Sequence, residues 1–177
     1  MSLDRAVAPN PYDYLPPVPE FTVTSDDVVG GSMVPLLHVH DSAGGGNVSP
    51  HLAWDGVPDG TQSFVVTCFD PDAPTPSGFW HWIAVDLPGD LPALGQGAGA
   101  SDAALPGGFH VPTDMGAASY GGMAPPEGDM PHRYFFVVHA VDVPTLGVTP
   151  DTSPTAVSFN LVFHTLARAI IAPVYSY

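Results

Sequence analysis

Twenty-two prolines and nineteen glycines are spread through this 177-residue chain, and they leave little room for long helices. Proline inside a helix removes a hydrogen bond and clashes with the preceding turn, while glycine in a regular element carries a large entropy cost. Between them lie short runs of β-branched and aromatic residues, the pattern of strands bounded by turns. The runs at 21–24 (FTVT), 36–40 (LLHVH), 63–69 (SFVVTCF), 82–87 (WIAVDL) and 134–141 (YFFVVHAV) are therefore predicted strands. One segment, 156–163, has helical spacing and a capping Ser153 or Thr155 before it. Beyond Arg168 the tail 169–177 returns to strand character. The expected fold is mostly β, a sandwich of antiparallel-rich sheets with one or two short helices, one near the C terminus.

The whole of 1–177 is expected to form a single domain, with a proline-rich N-terminal arm at 1–19. A Gly, Ala and Pro tract at 88–131 is long for a connection; it ends just before a strongly apolar run and is read as an ordered loop that delivers residues to a site. Charge narrows the partners. Arg5, Arg133 and Arg168 are the only basic side chains apart from histidine, and the formal net charge is −15. Such a surface repels nucleic acid and anionic bilayers alike, so neither is an expected partner. No basic start and apolar core mark a secretory leader in the first fifteen residues, and no apolar run reaches membrane-spanning length. The lone Cys68 sits inside an apolar run and is read as a buried hydrophobe, which suits a reducing cytoplasm.

Chemistry concentrates at the ends of the predicted strands. Asp70-Pro71-Asp72-Ala73-Pro74 places two carboxylates on a proline-stiffened turn, and His81 follows between Trp80 and Trp82. His132 stands in a similar setting before Tyr134. Each group also has a plain structural reading: turn carboxylates that accept backbone N–H bonds, and a satisfied core histidine. Arg133, next to His132, is read as one half of a structural ion pair. His38 and His40 would share a strand face, but no third ligand at a recognisable spacing accompanies them. His164 falls near the end of the predicted helix, within reach of its last carbonyls.

Taken together, these stretches resemble the phosphatidylethanolamine-binding protein family, the group that includes the Raf kinase inhibitor protein, and more closely its bacterial branch. The resemblance rests on Gly45-Gly46-Asn47-Val48-Ser49-Pro50 with Leu52 and Trp54, and on Asp70 to Pro74. It continues through Trp80-His81-Trp82, Tyr120, Pro125-Pro126, Gly128 and His132-Arg133-Tyr134, so that it covers residues 20–142. It implies a pocket for a phosphate or phospho-headgroup lined by Asp70, Asp72, Ala73, Pro74, His81, Pro125, Pro126, His132 and Tyr134. It also implies a cis bond before Pro74, a non-catalytic role without cofactor or metal, and homodimerisation, here placed at the tail 174–177. A partner kinase or protease is a further expectation. This sequence departs from the pattern at Ala124, where eukaryotic members often have glycine, and at Asp86, a frequent asparagine. The eukaryotic C-terminal helix is not visible in the tail.

An anion site containing carboxylates has a simple rationale. An acid beside an imidazole favours its charged, doubly donating form, so His81 and His132 are expected to donate to phosphate oxygens while the acids orient the rings. Tyr134 would add a hydroxyl donor and the glycine tract a nest of backbone N–H groups, with Phe79, Trp80 and Trp82 as an aromatic rim. Two rivals use the same residues. One is a hydrolase with an Asp/His pocket, although no nucleophile motif accompanies it; the other is a divalent-metal site built from Asp70, Asp72, His81 and His132.

Overall fold

The computed structural model describes residues 3–177. Its strands are β1 (Thr22–Thr24), β2 (Leu52–Asp55), β3 (Ser63–Asp70), β4 (Phe79–Pro88), β5 (Ala93–Leu94), β6 (Phe109–His110), β7 (His132–Arg133) and β8 (Phe135–Val141). Helix α1 (Pro154–His164) follows, then β9 (Thr165–Ile171) and β10 (Val174–Tyr175). A five-stranded sheet runs in the order β6-β4-β3-β8-β9, a three-stranded one in the order β1-β2-β5, and β10 pairs with β7. Every ladder between these strands is antiparallel.

The central strand β3 is apolar on both sides because both faces of the large sheet are covered. Phe64, Val66 and Cys68 point into one core with Trp82, Phe136 and Val138, and β2 and β5 close that core with Leu52, Trp54 and Leu94. The Trp54 and Phe64 rings meet there at 5.1 Å between centroids. On the opposite face Val65, Ile83 and Val85 pack under Val157 and Leu161 of α1. Each of the two helix residues contributes about 1.5–3 kcal/mol by leaving water. The helix begins at a true cap, the Ser153 hydroxyl accepting from the Ala156 N–H at 3.3 Å, with Pro154 in its first turn.

The 36–40 run is not a strand. Leu36–His38 forms a 3-10 turn after Pro35, whose fixed φ opens it, and Val39 makes only an isolated bridge to Met123. Leu36 and Leu37 face outward, and His38 turns in to Val48 O at 2.7 Å, so His38 and His40 do not share a strand face. The peptide bond before Pro74 is trans, as are the other described bonds, and the turn closes instead through Thr75 N–H donating to Ala73 O at 2.7 Å. Strand β9 starts at Thr165, ahead of the expected tail, and pairs along β8. In the tail itself Val174 and Tyr175 pair with Arg133 and His132 of the same chain, leaving Tyr177 exposed. The tract at 88–131 is ordered, holding β5, two 3-10 turns and β6. Asp86 sits at a φ of 56°, and its carboxylate accepts the Leu146 N–H at 2.8 Å.

Candidate functional site

At one end of the large sheet, β3, β4 and β7 run out around a cavity of about 570 Å³. Asp70 and His81 form part of its lining from the strand ends, with Ala73 and Pro74 from the turn after β3. Pro125 and Pro126 contribute from the long tract, and His132 and Tyr134 from the segment before β8. Eight of the nine expected residues thus converge across a separation of more than fifty positions in sequence.

Asp72 does not line this cavity. Asp70 Oδ1 accepts the Asp72 N–H at 2.8 Å, a local turn that sends the Asp72 side chain the other way. There its oxygens accept from Arg133 N at 3.0 Å, Nε at 2.8 Å and Nη2 at 2.8 Å, and from Ala8 N at 3.1 Å. Burial alone would raise the Asp72 carboxyl; the Arg133 guanidinium and backbone outweigh it and hold the group below its ordinary range. Arg133 is accordingly the structural ion-pair partner expected, and Asp72 anchors the N-terminal arm.

His132 lies between two acids. Its Nδ1 is 2.7 Å from Asp70 Oδ2 and its Nε2 is 3.0 Å from Asp129 Oδ2. Burial lowers the ring's pKa, and the two carboxylates more than reverse that, leaving it raised. Asp129 in turn meets Arg5, whose guanidinium also contacts the Asp72 carbonyl. A chain of polar contacts therefore runs Asp70, His132, Asp129, Arg5, from the cavity wall to the N-terminal arm.

His81 behaves differently. Its Nδ1 is 2.9 Å from Gly121 O and 3.1 Å from Gly122 O, and carbonyls only accept, so Nδ1 carries the proton. Burial pushes the ring's pKa down, and Asp70 and these carbonyls do not fully compensate. The neutral ring presents the Nε2 lone pair as its remaining polar atom. The carbonyls can reach it because the glycine loop packs without side chains: a Cβ at Gly122 would lie 2.4 Å from His40 N, and one at Gly45 would lie 2.1 Å from Val39 O. Asn47 Oδ1 fixes the loop by accepting Gly122 N–H at 2.7 Å, which gives the early glycine-rich motif its place in the site.

The Tyr134 ring stands edge-on to His81 at 5.1 Å, and its buried hydroxyl has no hydrogen-bond partner among the described residues. Burial, then the nearby Asp70, raises that hydroxyl far above its ordinary pKa, so it remains a donor. The expected pair of equivalent charged donors is thus not what the fold builds: both nitrogens of His132 are held by acids, which raise its pKa, while burial lowers that of His81. The glycine tract turns carbonyls toward the His81 ring, while the Gly121 N–H donates to the His81 backbone carbonyl at 2.8 Å. Of the expected rim, Phe79 lines the cavity, Trp82 is in the core and Trp80 packs against Phe69, the rings tilted at 43° with centroids 4.4 Å apart. His40, Ser42, Thr75 and Met115 also reach the lining, and no motif marked them. Among the described residues no group of three or more His, Cys, Asp or Glu side chains is arranged to hold a metal ion.

The phosphatidylethanolamine-binding protein family model matches residues 24–176. The chain belongs to that family. It is 50% identical over 155 residues to the UPF0098 protein YbhB of Escherichia coli, covering 86% of this chain and 98% of YbhB. It is 43% identical over 159 residues to YbcL of the same organism, covering 88% of this chain and 87% of YbcL. The crystal structure of E. coli YbcL, described as a new member of the mammalian PEBP family, superposes with a TM-score of 0.86 over 89% of this chain and 99% of that one. A PEBP homolog from Chlamydia trachomatis reaches a TM-score of 0.73 at 25% identity, covering 89% and 98%. Membership carries a ligand-binding role in general terms. Among PEBP features, the departure at Ala124 falls in the cavity lining. No helix among the described residues is long and apolar enough to cross a membrane.

Proposed function

We propose that this protein is a binding module whose cavity takes the phosphate group of a small phosphorylated molecule or headgroup, held with one proton on the phosphate–His81 pair. The observation that carries this reading is His81 in the cavity lining, its Nδ1 held by carbonyls and its Nε2 lone pair free, beside the Tyr134 ring whose buried hydroxyl lacks a partner among the described residues. A fully deprotonated phosphate would meet one donor, a repelling lone pair and the Asp70 carboxylate. A phosphate that keeps a proton donates it to Nε2 and accepts from Tyr134, so both groups are satisfied at once. A protonated His81 facing the dianion is the same species with the proton moved across. His132, with Nδ1 on Asp70 and Nε2 on Asp129, orients the Asp70 carboxylate from the same lining.

Titration calorimetry with O-phosphoethanolamine tests it. Affinity is expected to be about tenfold tighter near pH 6 than near pH 8, with net proton uptake read from the dependence on buffer ionisation enthalpy. Equal affinity across that range, or no uptake, overturns it. A hydrolytic role predicts turnover of phosphoesters that is lost in His81→Ala, and the same samples serve for that assay. Regulation of a partner kinase or protease, residence in the cytoplasm and self-association are separate proposals. Pull-down with the ligand present and absent, fractionation and sedimentation velocity test them respectively.

A further inference from the structure

Two of the three arginines are paired, Arg5 with Asp129 and Arg133 with Asp72. Arg168, on β9, is not: it is 7% exposed, and among the described residues no carboxylate lies within ion-pair distance of it. Its Nη2 reaches only Pro16 O at 3.4 Å, its guanidinium lies 5.9 Å over the Tyr12 ring, and its Nε has no partner. Burial lowers its pKa, opposed only by Tyr12. An unpaired buried charge costs several kcal/mol, and in a chain with eighteen acids a neutralising partner would be easy to place.

Arg168 lines a second cavity, about 500 Å³, between the N-terminal arm and β9. It shares no lining residue with the phosphate cavity. Two exposed carboxylates, Asp13 and Glu20, belong to the same lining, with Phe21 and Ile170 as apolar wall. Asp13 accepts from Asn10 at 2.9 Å, while the Glu20 side chain has no hydrogen bond or ion pair among the described residues. The cavity therefore offers one cation lacking an anion and carboxylates able to take a cation.

We propose that this cavity is a second binding site, for a small dipolar molecule that carries one carboxylate and one ammonium group, as a free amino acid does. The carboxylate takes the guanidinium, for which a planar fork is the best match, and the ammonium takes Glu20 and Asp13. A dipolar molecule adds no net charge to the −15 chain and meets both the guanidinium and the carboxylates of this lining.

The test is an NMR titration that follows the Arg168 Nε–Hε and Tyr12 ring signals of the full chain against L-leucine, acetate and leucinamide. Leucine is expected to shift both, at least about tenfold more tightly than acetate, with no competition from leucinamide. Arg168→Met should abolish the response while phosphate binding persists, and its melting temperature should not fall, because an unpaired charge has been removed. Arg168→Lys replaces it as the probe if the methionine variant fails to fold, with loss of the leucine preference expected. Glu20→Gln should bring leucine down toward acetate. The proposal is overturned if millimolar leucine leaves Arg168 unshifted, or if acetate binds as well as leucine.

Discussion

Arg5 and Asp129, 124 residues apart, meet through both guanidinium ends: Nη1 donates to Oδ1 at 2.9 Å and Nη2 lies 2.9 Å from Oδ2. The arm before the first strand is thereby tied to the acid that holds His132. Asp129→Asn removes one of the two carboxylates that raise the His132 pKa, so a histidine NMR titration should show that pKa falling toward its ordinary value. Arg5→Ala should cost about 1–2 kcal/mol in urea unfolding, a charge-assisted bond discounted for the quarter-exposed arginine.

Tyr134→Phe separates stability from binding. Removing a buried hydroxyl that has no partner should leave the unliganded protein as stable or about 1 kcal/mol more so. Affinity for O-phosphoethanolamine should fall about tenfold, the loss of one hydrogen bond to a charged group. Thermal melts and calorimetry on the same preparations check both, and a parallel loss of stability and affinity would count against a ligand-facing hydroxyl.

Asp72→Asn should do the reverse. The substitution weakens the Arg133 and Ala8 contacts of a fully buried carboxylate, with an expected loss of about 2–3 kcal/mol in urea unfolding. Phosphate affinity should stay within about twofold, since the side chain faces away from the cavity. A loss of affinity with stability intact would return Asp72 to the binding wall.

Stability should decline as pH falls below 7. His139 is driven down to about 3 by burial and then by Arg168, and His81 and His110 are lowered too, chiefly by burial. A histidine whose folded pKa is depressed contributes stability above its unfolded value, about 6.5, that is lost as pH falls toward the folded value. His132 is raised, so its contribution is full below about 6.5 and is lost as pH rises through its folded value. Three groups oppose one, and His139 alone accounts for about 3 kcal/mol by pH 4. Urea midpoints in His139→Asn should therefore change less between pH 7 and pH 5 than in the parent chain.

Strands β3, β4 and β8 were legible in the sequence because a strand covered on both faces must be apolar throughout, and few other elements are so short and so uniformly apolar. The 36–40 run misleads for the same reason: Leu36 and Leu37 give it a strand's composition, yet both face solvent. Short strand β2 escaped because LAWD is only four residues of alternation. In the site, the DPDAP turn marks both acids alike, and only the Asp70 to Asp72 hydrogen bond decides that they face opposite ways. The tautomer of His81 is fixed by carbonyls forty residues distant and its lowered pKa by burial, and Arg5 and Asp129 belong to no motif. Local pattern marks where polar groups gather; their protonation is set by partners that only folding brings near.

The ladder between β3 and β8 joins Ser63 to Val141 and Phe69 to Phe135, so the centre of the sheet closes a very long loop before any of its pairing is gained. Such a topology folds slowly, on the order of milliseconds to seconds. During synthesis β3 is made long before β8, and the arm at the N terminus waits for Asp129, Arg133 and finally Arg168. A nascent chain therefore carries one edge of β3 unpaired from Asp70 until Phe135 is made, over a third of its translation, and that open apolar edge is where chaperone cover would act.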